Sequence, residues 1–371
     1  MEEAKNIVDE AKQRRIFERQ SANKAQMREI TQDIARWSNR NEDFPYTPVK
    51  FVGAGGYGMV FMAINERNLE TVAIKACSTL KHSKGMYSSP RHVAVETEIL
   101  HKTEHPNVLH MHTYFETSAF IYIVMPLAEG TLRDVIKQLS KKGTEDESSV
   151  YFGMDSERAM NFLRQILEAL DYLKEQSIIH RDLKPDNVLL MRGQIKVADF
   201  GSAHNGKTRM KFLTDSDGTN SQENGLLTEK ISTVWYRAPE MILGKSEYDF
   251  KVDLWAAGLI ALELMQGSEM FFNCHTEYEI LIVIMRDVGK ITEKNWPGVS
   301  KLPYYADQLP DFEPTDMVKQ AGLTGWKYNV VRSLLTPYPP NRATAMEALD
   351  MWPQRPTVVS FRSVKKAKTK E

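Results

Sequence analysis

The chain of 371 residues carries 48 Lys and Arg against 49 Asp and Glu, a formal net charge of −1, with 42% hydrophobic and 26% charged residues. That balance belongs to a globular chain long enough for one large domain or two lobes. It offers no bulk field for specific nucleic acid or a membrane surface. Two cysteines, Cys77 and Cys274, stand far apart and outside any C-x-x-C or Cys/His cluster, so disulfide and zinc readings find little support and a reducing, intracellular setting, cytoplasmic or nuclear, is expected. No apolar run reaches the about 20 residues that span a bilayer. The charged N-terminus lacks a signal-peptide core, and no internal repeat is visible.

Residues from about Glu3 to Trp37 are strong helix formers without Pro or Gly, and Ile30, Ile34 and Trp37 make a spaced apolar stripe. The pattern predicts a helical extension packed on the domain or a short coiled coil; a regulatory role is the sharper alternative. "NEDFPYTP" then reads as a linker with Pro45 and Pro48 as breakers. From Val49 to about Leu127 the texture is mainly strand: "VKFVG", "MVFMAIN", "TVAIKAC", "VLHMHTYFE" and "FIYIVMPL". One helix around Val93 to Lys102 interrupts it. Past Gly130 long helical patterns take over, such as "SERAMNFLRQILEALDYLKEQ" and "KVDLWAAGLIALELMQG". The expected architecture is α+β, a small β-rich lobe followed by a larger helical one. "KKGTEDESSV" and the long stretch "GKTRMKFLTDSDGTNSQENGLLTEK" read as loops, the second long enough to suggest function.

Within this frame, "FVGAGGYGMVF" places Gly53, Gly55 and Gly58 where backbone N–H groups approach phosphate closely. A Rossmann turn carries the same spacing, but the apolar run after Gly58 is strand-like, which favours a hairpin lid. "VAIK" ends in Lys75, a cation closing an apolar strand; its burial demands anions such as phosphates and a carboxylate. "IIHRDLKPDNVLL" packs His180, Arg181, Asp182, Lys184 and Asn187 between two apolar runs. Asp182 is suited to accept a hydroxyl proton, Lys184 to neutralise a transferring phosphoryl group, and the Asn187 amide oxygen to hold magnesium. "VADFG" adds Asp199 as a second metal ligand.

In this order the motifs resemble those of the eukaryotic protein kinases, from Gly53 to Arg342. The resemblance implies the bilobal kinase fold, with ATP and magnesium as cofactors and transfer to a protein hydroxyl. It implies an adenine pocket of Val52, Val60, Ala73 and Leu189, with Met125 as gatekeeper and Pro126 to Ala128 as hinge. It pairs Glu240 with Arg342, and sets Asp253 to hold the catalytic-loop backbone. Domain bounds follow: a helical extension (1–45), a kinase domain (46–353, its lobes 46–127 and 128–353) and a basic tail (354–371). "STVWYRAPE" and "NWPGVSKLPYY" are similar to segments of the cyclin-dependent and MAP kinase group. There Thr233 and Arg237 belong to a substrate platform that selects proline after the target residue, and Lys184 points to Ser/Thr specificity. A pseudokinase scaffold is the main rival and a small-molecule kinase the third reading.

Regulation by resemblance centres on Thr228, the position of the activating threonine, with Arg181 to receive its phosphate. The family's two further arginines are replaced by Val95 and His204, leaving that switch open. Tyr57 matches an inhibitory tyrosine, with an aromatic flap residue as the equal alternative, and Gly56 stands in place of the usual threonine. Thr214, Ser216 and Thr219 are extra candidates for modification. The tail "RSVKKAKTKE" reads as a solvated run or a nuclear signal.

"PRHVAVETEIL" holds two acids, Glu96 and Glu98. On a helix Glu96 shares a face with Ile99 and Leu100, while Glu98 points about 200° away. Counting back from "HPN", Glu96 also stands where the resemblance places the lysine-pairing glutamate, so it is expected to pair with Lys75 and line the ATP site. The segment keeps the proline and glutamate of the cyclin-binding helix but not its isoleucine or arginine, so a cyclin-like activator stays open as a partner beside the protein substrates.

Overall fold

The computed structural model describes residues 24–25, 27–36, 44–55, 58–78, 90–145, 153–205, 234–271, 273–306 and 308–353. Tyr57, Thr228 and Thr233 lie outside them, as do the long loop's Thr214, Ser216 and Thr219, Trp37 and the basic tail.

The first lobe is one antiparallel sheet of five strands: β1 (Tyr46–Gly55), β2 (Gly58–Asn65), β3 (Thr71–Ser78), β4 (Thr113–Glu116) and β5 (Phe120–Pro126), in the order β1-β2-β3-β5-β4. Its strands alternate with period two, and the two sets of side chains enter different cores. Met59, Phe61, Ala63, Val72, Ile74, Ala76, Phe120, Tyr122 and Val124 form one buried cluster on the outer face. Ala73, Ile123 and Met125, with Val60 beside them, face the other way and join the core of the second lobe.

Helix α1 (27–36) closes the outer cluster. Ile30 and Ile34 are buried there, with Met27 packed alongside, at the i, i+3, i+4 spacing that puts them on one face. Asp33 sits on the same face and accepts hydrogen bonds from Tyr122 Oη (2.9 Å) and Thr117 Oγ1 (2.7 Å). Phe44 and Tyr46 extend this seam by stacking edge-on with each other and around Phe115. The stretch read as a linker is thus already part of the lobe from Phe44 onward. β1 starts at Tyr46, and Pro48, which cannot donate to a ladder, sits at a bulge on this edge strand.

Helix α2 (Pro90–Lys102) begins three residues before the expected Val93, with Pro90 at a first-turn position where no amide is needed. The second lobe holds α3 (Leu132–Glu145), α4 (Ser156–Glu175), α5 (Pro239–Ile242), α6 (Lys251–Gln266), α7 (Glu277–Val288), α8 (Met317–Gln320), α9 (Gly325–Leu334) and α10 (Ala345–Asp350). α3 runs on through 141–145, read from sequence as loop; the helix formers Lys141, Lys142 and Glu145 carry the about 1 kcal/mol cost of Gly143. α4 is capped by Asp155, whose side chain accepts the amides of Glu157 and Arg158; it buries Met160, Phe162, Leu163, Ile166, Leu167 and Leu170 and packs on α6. α6 is buried all round, as an apolar helix must be, and Gly267 ends it in the left-handed region (φ 67°) with its N–H on Glu263 O. No helix among the described residues is long and apolar enough to cross a membrane.

Short strands β6 (Gly130–Thr131), β7 (Ile178–Ile179), β8 (Val188–Met191), β9 (Gln194–Val197) and β10 (His204–Asn205) lie between the lobes. They pair as β6-β8-β9 and β10-β7. Of the expected strand "VLHMHTYFE", Thr113–Glu116 forms β4, and its start contributes only a single bridge from Val108 to Val197.

Candidate active site

Register across the first lobe assembles one wall of the site. Val60 lies opposite Lys75, Lys75 opposite Ile123, and Ala73 opposite Met125, so these side chains share the inner face. Leu189 comes in from below, opposite Thr131 on the β6–β8 ladder. Ala128 follows β5 in the connection between lobes. Val52 differs: it falls at a β1 bulge and is 54% exposed, so no described residue encloses it.

The hairpin β1–β2 brings Gly55 opposite Gly58. A Cβ at Gly58 would lie 2.5 Å from the Ala76 carbonyl oxygen, so the close approach of β2 to β3 there requires glycine. At Gly53 a Cβ would meet nothing within 4 Å; its space is open.

Lys75 is the electrostatic centre. Its ammonium donates to both oxygens of Glu96 (2.7 and 2.8 Å) and to Asp199 Oδ1 (2.9 Å). Lys75 and Glu96 are buried, and Asp199 is 30% exposed at its side chain. Burial alone would pull the Lys75 pKa down, but the carboxylates of Asp199 and Glu96 outweigh it and hold the ammonium above its usual range. Burial pushes the Glu96 carboxyl up, with Lys75 pulling against it. At Asp199 burial loses to Lys75, and the carboxyl is held below its usual range. Glu98, on the opposite side of α2, pairs with Lys102 on the exposed surface instead.

The segment from Ile178 to Asn187 is fixed from below. Asp253 of α6 accepts the amides of His180 and Arg181, both at 2.8 Å. His180 is fully buried, takes the Asp182 amide at Nδ1 (3.3 Å), and so carries its proton at Nε2, which faces Ala198 O at 2.9 Å. Two non-glycine residues adopt left-handed backbone here, Arg181 (φ 66°) and Asp199 (φ 63°). Each such residue stores roughly 1–3 kcal/mol, held in place by these bonds. Lys184 Nζ reaches Asp182 Oδ2 (2.8 Å).

The β8–β9 hairpin joins the two expected metal ligands, since the Ala198 amide donates to Asn187 O. Asn187 turns its NH2 to Asp182 O (2.8 Å) and Oδ2 (3.2 Å). That orientation leaves the amide oxygen as acceptor, while only Oδ1 of Asp199 is taken by Lys75. Two hard oxygens, one charged, suit a magnesium ion that keeps water and phosphate as its other ligands. Among the described residues there is no cluster of three or more His, Cys, Asp or Glu that could hold a metal ion.

A small cleft beside Asp182 is lined by Arg181, Leu183, Tyr236 and Arg237. Arg237 forms an ion pair with Glu277 at the start of α7. Arg181 donates from Nε to Ser202 O (2.6 Å). Arg342 fills a fully buried site, both Nη atoms on the Glu240 carboxylate (2.7 and 2.8 Å).

Sequence reading gave no role to Arg133, Tyr236 or Glu263, which meet beneath the cleft. One signal was available: Glu263 is the lone charge in the apolar run from Leu254 to Met265, and a charge there must find a buried partner.

A family model, Protein kinase domain, matches residues 46–352. The chain belongs to the protein kinase family. It is also 30% identical over 326 residues to Cyclin-dependent kinase 2 of Caenorhabditis elegans, covering 87% of this chain and 81% of that protein. The kinase is therefore cyclin-dependent-kinase-like, and its sheet lobe and helical lobe are those of the bilobal α+β fold.

Proposed function

We propose that this kinase transfers the γ-phosphate of ATP to Ser or Thr hydroxyls of proteins, before proline. The observation that carries the reading is Lys75, held ready for phosphate by Glu96 and Asp199, the latter also within the field of Lys184 on the Asp182 loop. Phosphoryl transfer needs positioning and charge stabilisation more than covalent chemistry. Asp182 orients the acceptor hydroxyl and takes its proton, and Lys184, hydrogen-bonded to it, meets the charge of the moving phosphoryl group. Lys75 binds the phosphates that Gly53, Gly55 and Gly58 cover. Val52, Val60, Ala73, Met125, Ala128 and Leu189 enclose the adenine. Asn187 and Asp199 would hold magnesium, which would supply positive charge against the charge of the phosphates. Arg237, with Thr233, shapes the place of the proline.

Regulation is proposed at Thr228, with Arg181 as its one arginine, and at Tyr57. A cyclin-like activator would meet α2 on its exposed side, at Ala94 and Glu98.

The test is ATP-dependent labelling of a Ser/Thr peptide array, with and without cyclins. The parent chain is expected to label Ser/Thr-Pro peptides, and Asp199→Ala to abolish labelling. Robust transfer by Asp199→Ala sinks the assignment, and a parent that never labels favours a scaffold.

A further inference from the structure

One buried side chain ties the Asp182 loop to the cleft beside it, and nothing in the phosphate chemistry above uses it. Arg133 is the second residue of α3, just past the connection between lobes, and is 5% exposed. Its three nitrogens go three ways. Nε donates to Asp186 Oδ2 (3.1 Å), Nη1 to Glu269 Oε1 (2.7 Å), and Nη2 to Tyr236 Oη (2.6 Å). The Tyr236 hydroxyl in turn donates to Glu263 Oε2 (2.7 Å), whose other oxygen accepts the Met270 amide (3.0 Å).

The partners matter by position. Asp186 lies between Lys184 and Asn187 in the short turn Pro185–Asn187. Tyr236 precedes Arg237 and lines the cleft. Glu263 belongs to α6, the same helix whose Asp253 holds the amides of His180 and Arg181. α3 touches the far end of this assembly again, through Ser140 Oγ on Gly267 O. A guanidinium is a rigid planar fork, so bonds to three separate segments fix their mutual distances in a way a flexible ammonium does not. Its partners also explain how it tolerates burial: Asp186 and Glu269 supply the anions a buried cation needs.

We infer that Arg133 is a positioning residue for phosphoryl transfer. It sets the turn bearing Lys184 and Asn187 against the Tyr236–Arg237 wall, where the acceptor peptide is proposed to lie. The inference rests on the proposed function. It predicts that loss of the fork disturbs the alignment of acceptor and phosphate while leaving the part of the nucleotide's wall built on β2, β3 and β5 untouched.

The experiment compares the parent, Arg133→Lys, Arg133→Met and the double variant Arg133→Met with Glu263→Gln. The double variant also removes the buried acid that Arg133→Met would leave beside no cation, and the unfolding curves show which variants are folded for comparison. Each is assayed for kcat and KM with the best peptide of the array, for affinity toward a fluorescent ATP analogue, and for thermal unfolding. Misplacing reacting groups by a fraction of their contact distance costs on the order of 10- to 100-fold in rate. The expected result is that loss in kcat in the double variant, partial rescue by Arg133→Lys, and analogue affinity within about twofold of the parent. Three outcomes overturn it. kcat of the double variant within about twofold of the parent leaves Arg133 as charge compensation alone. Parallel losses of analogue affinity and rate make it a merely structural residue. A parent without transfer to any peptide removes the proposed function first and this inference with it, a result separable from unchanged variants of an active parent.

Discussion

Ile30→Ala tests whether the N-terminal helix is a brace for the sheet or a control element for the site. Ile30 is 1% exposed and seals the outer face of the sheet with Ile34. The substitution removes three carbons, about 2.4 kcal/mol of transfer free energy at about 0.8 kcal/mol each. A cavity that the rigid sheet cannot fill brings the loss to about 3–4 kcal/mol, within the range for such truncations. Asp33→Ala acts on the same seam by another route. Tyr122 is fully buried and its hydroxyl donates to Asp33; burial and that carboxylate push its pKa far up. Without the acceptor the phenol is stranded, at a cost of about 1–3 kcal/mol. Thr117 suffers less, because its hydroxyl also faces Phe120 O at 3.2 Å. Tyr122 and Lys75 belong to opposite faces of the sheet, so neither variant should change ATP-analogue affinity. Urea unfolding of the full chain gives the stability, and fluorescent analogue titration the affinity. A loss under about 0.5 kcal/mol for Ile30→Ala, the size of a surface change, would show that α1 is not seated in solution. A tenfold or larger change of affinity at unchanged stability would make α1 a regulator and refute the brace.

Two further outcomes follow from buried charge. All five N–H groups of Arg342 are satisfied, by Glu240, Lys251 O, Thr336 O and Pro337 O; Arg342→Lys keeps a charge for Glu240 but cannot reproduce the fork and should cost about 1–3 kcal/mol through the acceptors left unpaired, read as a lower urea midpoint, and an unchanged midpoint would contradict the reading. Burial raises the Glu263 carboxyl from 4.5 to about 7, against Arg133 and the Tyr236 hydroxyl. Between those values the unfolded chain has lost a proton that the folded chain keeps, so stability falls as pH rises, by up to about 3 kcal/mol from pH 4.5 to 7. Glu263→Gln should flatten that part of the curve of unfolding free energy against pH, and a slope equal to the parent's would show that the carboxyl titrates normally.

The candidate segment from His180 to Asn187 was readable because its residues are neighbours in sequence, and the helix phase, with the count back from "HPN", separated Glu96 from Glu98. Contacts made by a single side chain across long stretches of chain left no such trace. The partners of Arg133 lie 53, 103 and 136 residues away, and nothing in "TLRDVIKQL" distinguishes it from a solvated helix arginine. Asp33 gave no sign of meeting Tyr122, 89 residues on. Local breakers misled in the other direction. Pro45 and Pro48 suggested a linker, yet the aromatic side chains of Phe44 and Tyr46 bind that stretch to Phe115. Gly143 suggested a loop inside α3, where one glycine is too small a penalty to stop a helix of strong formers.

Period two in the first lobe explains why so small a sheet needs something on both sides. Every second residue of β2, β3 and β5 faces the other lobe, and there Lys75 is held by Glu96 and Asp199. The residues between them are equally apolar and point outward, where Met59, Phe61, Ile74 and Val124 would meet water without α1. A strand cannot shift by one residue to hide one set without exposing the other and turning Lys75 away from its carboxylates. The apolar stripe of α1 therefore fixes the register that aims Lys75 inward, and it does so from the opposite face, without touching the site. This coupling runs through stability, which is why α1 is expected to govern how much of the kinase is folded and not how tightly the folded kinase holds its nucleotide.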